Sequence, residues 1–249
     1  MIASLMMYAR AEHADADARY WASIRVALAD RGIAAPARLS NDADAFAVWT
    51  APHLVLSQTC GLPYRTRLKD RVALVGTPDF GVEGCAPGAY RSAIVVRADD
   101  PRDTLQAFRD ARLAFNQRES QSGFAAIHAE ARAEGFWFDH KIETGGHALS
   151  ARAVAQGQAD LAAIDAVTWR FLQRYDPAAA DLRVLGWTAP TPGLPYITAL
   201  DADVAAIRAA VTEAMAALTP ADCDTLGLRG LVQIPRSDYL AVPTPPADA

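Results

Sequence analysis

Short apolar strands alternate with amphipathic helices along most of this chain, and that alternation confines it to an α/β fold. Ile2 to Met7 reads as a strand. Asp15 to Arg31 reads as an amphipathic helix stopped by Gly32. Asp42 to Thr50 is a second helix, His53 to Ser57 a second strand, Leu62 to Leu68 a helical turn and Val72 to Gly76 a third strand. Such a βαβαβ succession predicts a mostly parallel sheet. Beyond the Gly- and Pro-rich stretch Pro78–Gly88 comes a second unit of similar size. Its strands are expected at Tyr90–Arg97, Leu113–Asn116, Phe136–Glu143 and Leu161–Ile164. Its helices are expected within Asp99–Arg109 and at Ser122–Glu134, Gly146–Gln156 and Ala166–Arg174. A strand at Leu182–Thr188, an extended Ile197–Leu200 and helices at Asp203–Ala217 and Pro220–Leu226 complete the pattern. The Pro- and Ala-rich tail from Val242 is expected to be frayed. Two α/β units predict two lobes. The last elements are expected to return to the first lobe, with crossings near Gly88–Tyr90 and Leu185–Trp187.

A chain of 249 residues is long enough for a substantial core. Its net charge of -5 carries no basic footprint, which argues against a nucleic-acid partner. No apolar run approaches the roughly 20 residues that span a bilayer. The N-terminus MIASLMMYARAEH lacks a charged n-region, a long apolar core and an A-x-A site, so the expectation is a cytosolic chain or one trimmed of its export signal. Cys60, Cys85 and Cys223 form neither a C-x-x-C pair nor an even set, and are expected to be buried free thiols rather than disulfide or zinc ligands. No metal and no cofactor is indicated. The G-x-S-x-G, G-x-x-x-x-G-K-[ST] and H-E-x-x-H signatures are absent.

Ligands of open α/β sheets bind beyond the carboxyl ends of the strands. Four stretches fall there. In FNQRESQSG, Ser120, Gln121, Ser122 and Gly123 open a helix, where unpaired N–H groups, hydroxyls and a glycine make a small oxyanion cradle. A plain N-cap is the competing role for one such serine. In ETGGHALS, Thr144, Gly145 and Gly146 precede a helix with His147 in its first turn. A neutral His147 has one N–H to give an anion, although a surface histidine is the commoner finding. Asp165 follows an apolar strand and is placed either to cap the next helix or to accept a proton from a ligand oxygen. Gln58 and Thr59 end another strand, and Tyr8 ends the first, where a lone aromatic is more often packing.

Taken in order, SQTCGLPY, PGAYRSAIVVRADDP, FNQRESQSG, ETGGHALSARAVAQGQADLAAID and GWTAPTPGLP resemble the phosphonate, phosphite and phosphate solute-binding proteins of ABC importers. The resemblance runs from Ile2 to about Leu231. It implies an α/β, two-lobed type II periplasmic-binding-protein fold of the transferrin-like superfamily, each lobe a mostly parallel sheet flanked by helices. It also implies two crossing strands, around Tyr90–Val96 and Arg183–Thr188, which sets lobe one at residues 1–89 plus 187–249 and lobe two at 90–186. The family's Ser-x-Ser-Gly helix start matches Ser120, Gln121, Ser122 and Gly123. Its Gly-His matches Gly146 and His147, and a tyrosine beside the first crossing matches Tyr90. The acid that binders of aminoalkylphosphonates add falls at Val167, which favours a simpler oxyanion. The family further implies a periplasmic monomer that delivers its ligand to an ABC permease. The leading expectation is thus a non-catalytic protein that takes a small phosphorus oxyanion between its lobes, with Arg91 as an added positive charge. A cytosolic enzyme using His147, Asp165 and Cys60 as acid, base or nucleophile is the alternative, and a cytosolic sensor the third reading.

Overall fold

A computed structural model describes all of residues 1–249. The chain divides into two compact units. The first holds Met1–Ala89 and Pro192–Leu240, and the second holds Tyr90–Thr191 and Ala241–Ala249.

The chain begins with β1 (Ile2–Ser4), α1 (Ala14–Ala29), α2 (Ala45–Trp49), β2 (Leu54–Gln58), α3 (Gly61–Pro63) and β3 (Val72–Asp79). β1 is shorter than the expected Ile2–Met7, because Met6–Tyr8 turns into a 3-10 helix. α2 starts where Asp44 accepts a bond from the Ala47 N–H, an Asx cap that fixes the helix end three residues later than expected. β4 (Ala89–Tyr90) carries the chain out of the first unit.

In the second unit come β5 (Ser92–Arg97), β6 (Arg112–Phe115), α4 (Ala126–Ala133), β7 (His140–Glu143), α5 (His147–Ala155), β8 (Leu161–Asp165), α6 (Ala166–Tyr175) and β9 (Leu182–Trp187). β10 (Thr191–Pro192) brings the chain back to β11 (Tyr196–Ala199), α7 (Val204–Ala216), α8 (Pro220–Leu226), β12 (Gly230–Val232) and α9 (Arg236–Ala241).

Each unit is built on a five-stranded sheet, β1-β2-β11-β3-β12 in the first and β7-β6-β8-β5-β9 in the second. Both sheets are mixed, which corrects the expectation of mostly parallel ones. β1 and β2 are parallel, but β11 inserts antiparallel between β2 and β3, and β12 is antiparallel to β3. In the second sheet β6, β7 and β8 are parallel while β5 is antiparallel to β8 and β9. The physical reason is connectivity. A right-handed βα crossover delivers parallel strands, whereas β5, entering from the first unit, and β11, returning from the second, owe nothing to that crossover.

Side-chain alternation divides the second unit's core in two. Ala93 and Val95 of β5 join Ala162 and Ile164 of β8 in one cluster, with Val154 and Trp169. Ile94 and Val96 join Leu161 and Ala163 in the other, with Phe108, Leu113 and Ile127. A period of two therefore buries both faces of the sheet. Phe136 and Phe138 fill the second cluster from an irregular segment, so the expected strand Phe136–Glu143 shortens to β7. The first unit packs Val48, Trp49, Leu54, Leu68, Val72 and Ile197 around Tyr64 and Tyr239. The Tyr239 hydroxyl lies 2.6 Å from Thr77 Oγ1 and bonds the Gly193 carbonyl at 3.0 Å, which anchors α9.

The tail is not frayed. Ala249 is buried with Phe115 and Phe124, and its carbonyl accepts a 2.6 Å bond from Arg118. Of the three cysteines only Cys60 is buried, while Cys85 and Cys223 are partly exposed, which corrects the expectation that all three are buried.

Candidate functional site

The three parallel strands of the second unit end at Phe115, Glu143 and Asp165, and each ends in one of the stretches singled out above. Parallel strands point their carboxyl ends the same way, so these stretches collect at one sheet edge. β5 is antiparallel and contributes its start there: Ser92 pairs in register with Asp165, and the Arg91 carbonyl accepts from the Ala166 N–H at 3.0 Å.

The helix after β6 does not begin as the regular helix expected from Ser122 to Glu134. Gln121–Ala125 forms a π-helical turn before α4, closed by a bond from the Ala125 N–H to the Ser120 carbonyl at 3.0 Å. Such turns recur at functional sites because the extra residue re-aims side chains and N–H groups. Ser120 is the cap: its Oγ accepts from the Gly123 N–H at 3.0 Å. Ser122 has a different role. Its Oγ lies 2.9 Å from His147 Nε2, the first residue of α5. From the other side, Ser92 Oγ donates to the Ser122 carbonyl at 2.9 Å. Ser92 is a residue that sequence reasoning missed, since nothing in YRSAIVVR distinguishes it from any strand serine.

The two turns are tied together. The Thr144 N–H reaches the Phe115 carbonyl at 2.8 Å, and the Gly145 N–H reaches the Asn116 carbonyl at 2.8 Å. Thr144 Oγ1 meets Ser150 Oγ at 2.7 Å. Gly145 takes a φ of +86°, which only glycine adopts cheaply. Gly146, the N-cap of α5, caps with no side chain, so the first N–H groups of that helix lack a side-chain partner. Burial pushes the His147 imidazole down to about 4, opposed in part by the Ala163 backbone, so it is uncharged at neutral pH.

Asp165 takes the capping role. Its Oδ1 accepts from the N–H groups of Val167 at 2.7 Å and Thr168 at 3.1 Å. Tyr90 is buried just before β5. The Arg91 guanidinium stacks on Trp187, 4.5 Å from the ring centroid.

In the first unit Gln58 ends β2 and Thr59 follows it, whereas Tyr8 ends the 3-10 helix Met6–Tyr8 and not the first strand as expected. Gln58 Nε2 donates to the Leu194 carbonyl at 3.1 Å, and the Thr59 N–H to the Pro195 carbonyl at 3.1 Å. Both residues are buried and tie the returning chain to the sheet. Tyr8 sits edge-on against Phe80, with ring centroids 4.9 Å apart. No group of three or more His, Cys, Asp or Glu side chains is arranged to hold a metal ion.

The sequence model of the family described as "ABC transporter, phosphonate, periplasmic substrate-binding protein" matches residues 57–239. The chain belongs to this family. No curated protein sequence matches it. Among solved structures it is similar to PhnD1 from Prochlorococcus marinus in complex with methylphosphonate, at 12% identity and a TM-score of 0.73 over 96% of this chain and 93% of that one. It is equally similar to XAC2383 from Xanthomonas citri bound to chloride ion, at 15% identity and a TM-score of 0.73 over 96% and 92%. A binding-protein component of an ABC phosphonate transporter from Pseudomonas aeruginosa matches at 15% identity, with a TM-score of 0.65 over 96% and 82%. At these identities the likeness to solved structures is one of fold, and the fold is that of type II periplasmic binding proteins. The family is the substrate-binding component of ABC transporters.

Gly123 is the residue of the turn least able to change. A methyl group built there would lie 2.0 Å from Asn116 Oδ1, 2.7 Å from its Cγ and 3.1 Å from His147 Cε1. Gly123→Ala is expected to cost about 1–3 kcal/mol by overpacking, seen as a lower urea midpoint. An unchanged midpoint would mean that the Asn116 amide moves away freely.

Proposed function

We propose that this protein captures a small phosphorus oxyanion (phosphate, phosphite or phosphonate) between its two lobes and presents it to an ABC permease. The observation that carries the reading is the Ser122–His147 pair, set at 2.9 Å between two helix starts at one sheet edge. A neutral imidazole has a single N–H. With that proton on Nε2, His147 donates to Ser122 Oγ, and the serine proton is left to point at an anion. The first N–H groups of the π-helical turn and of α5 add donors and a partial positive charge without a cation. The Asn116 Oδ1 is buried and has no partner in the protein, and as an acceptor it fits only an oxyanion that still carries a proton. In this reading Tyr8, Gln58, Thr59 and Tyr90 shape the rest of the site, Ser120 and Asp165 hold its turns, and the lobes close on the ligand by hinge motion. The family match supports the transport role.

Thermal shifts with phosphate, phosphite, methylphosphonate and sulfate test it. Ligand at 100 times its Kd stabilises a folded protein by about 2.7 kcal/mol. The expected result is a shift with one or more phosphorus oxyanions and none with sulfate. Ser122→Ala is expected to weaken that binding by about 1.5–3 kcal/mol, or ten- to a hundredfold, the usual worth of a hydrogen bond to a charged group. Equal affinity in Ser122→Ala for every oxyanion tested would reduce the cradle to a cap.

A further inference from the structure

The chain leaves the first unit through α9, where Tyr239 is held by Thr77 and Gly193, and its last residues, 241–249, belong to the second unit. Pro243, Pro245 and Pro246 restrict the backbone of this segment, which lowers the entropy lost when it docks. Its end folds into a turn, with the Ala249 N–H on the Pro246 carbonyl at 3.1 Å. Ala249 is buried against Phe115 and Phe124, and Trp137 packs on the same cluster. The rings support one another. Phe115 and Phe124 have centroids 5.0 Å apart, and Trp137 meets Phe124 edge-on at 5.5 Å. The Arg118 guanidinium donates to the Ala249 carbonyl at 2.6 Å and stands 5.6 Å from the Phe124 ring centroid.

The partners of Ala249 bracket the cradle. Phe115 directly precedes Asn116, Arg118 lies in the loop that leads to Ser120, and Phe124 directly follows Gly123. The Phe115 carbonyl also accepts from the Thr144 N–H at 2.8 Å, so the turn before His147 hangs from the same residue. Gln117, Arg118 and Glu119 are exposed, and their loop has no core of its own to rest on. The tail gives it a fixed point through Arg118. A turn that aims hydroxyls and N–H groups at an anion works only if its geometry is held by a rigid support behind it. We propose that residues 242–249 are a strap that holds the Asn116–Gly123 turn in its binding shape and, being fastened to the first unit at Tyr239, makes that shape depend on both units. Arg118 is then a positioning residue that touches no ligand. The strap rests on the oxyanion reading for its purpose, though its hold on the turn is measurable without any ligand.

Amide hydrogen exchange and ligand titration test it on three variants: the chain ended after Ala241, and full-length Arg118→Gln and Arg118→Lys. Ending the chain there keeps α9 and its Tyr239 anchor. Without ligand, the amides of residues 116–125 are expected to exchange at least tenfold faster in the shortened chain, while those of β8 exchange as in the parent. That contrast separates a loosened turn from a loosened unit. Arg118→Gln, which undoes the fastening, is expected to show the same change, and Arg118→Lys, which keeps a cationic donor, to revert most of it. Phosphate, phosphite or methylphosphonate, whichever binds the parent, is expected to bind the shortened chain at least tenfold more weakly, through faster dissociation. Parent-like exchange at 116–125 in the shortened chain or in Arg118→Gln would overturn the strap. So would equal acceleration in β8, which would make the tail a general stabiliser, or faster exchange with unchanged affinity. If the parent binds none of the three anions, that counts against the oxyanion cradle, and exchange at 116–125 still decides the strap.

Discussion

Asp17→Asn is expected to make the protein more stable at pH 8 while leaving it nearly unchanged at pH 4. The carboxyl rises from 3.8 to about 7 on folding because it is desolvated. The folded state therefore holds the proton more tightly than the unfolded chain. Below the unfolded value both states are protonated and the group costs little. As pH rises from about 4 to about 7 the unfolded chain ionises first, and stability drains away until the folded carboxyl also ionises. At 1.36 kcal/mol per unit the full penalty would be roughly 4 kcal/mol. Asp17 keeps some solvent access, so about 1–3 kcal/mol is the expected gain in the variant. Urea denaturation of both proteins at pH 4.5, 6 and 8 checks it, with the curves converging at the acid end. A gap that stays constant across the series would show that Asp17 is already solvated.

Much of this architecture was legible before any coordinates, because its signals are local. Pro220–Leu226 forms the helix read from the sequence, with Thr219 as its cap and Gly227 in the left-handed region at its end. Gly32 stops α1 in the same conformation, a φ of +71°. What was not legible depends on contacts between distant segments. Strand direction is one such property: the alternating pattern of Ser92–Arg97 buries both faces of the sheet equally well whichever way the strand runs. The aromatic segment at Phe136–Phe138 is another, since its β propensity serves core filling rather than pairing. No element was expected at residues 236–241, yet Tyr239 anchors a helix there through its ties to Thr77 and Gly193.

The site divides along the same line. The positions of Ser120, Ser122, Gly123 and His147 at helix starts followed from sequence alone. That Ser120 caps while Ser122 meets His147 did not, because it depends on a π-helical turn that shifts the following side chains around the helix. Ser92 gives no sequence signal, and Asp17 gives a misleading one. An acid in the first turn of a helix is among the commonest features of any sequence, and only the folded surroundings that desolvate this one set it apart.

The His147 imidazole leads to the opposite pH prediction from Asp17. Its folded value is about 4 against 6.5 in the unfolded chain. The folded state thus binds the proton less readily. Above pH 6.5 both states are neutral, and the full stability is present. As pH falls the unfolded chain takes up the proton first, so stability is lost from about 6.5 down to about 4. The loss has an upper bound of roughly 3 kcal/mol, and about 1–2 kcal/mol is expected for a residue that is not fully enclosed. Carboxylates contribute to the same acid limb: Arg102 beside Asp100 holds that carboxyl down to about 2, and Arg19 lowers Asp222. The comparison must therefore be between the parent and His147→Gln at each pH, since the carboxylate terms cancel. His147→Gln is expected to lose less stability than the parent between pH 6.5 and 4.5, and to follow a parallel curve above pH 7. Parallel curves throughout would mean that the imidazole titrates normally and is open to water. That result would also bear on binding. A histidine charged at pH 6 would attract anions directly, and affinity would climb as pH falls. A neutral one acts only as a hydrogen-bond partner that orients Ser122, so any pH dependence of affinity in this range would follow the ionisation of the ligand.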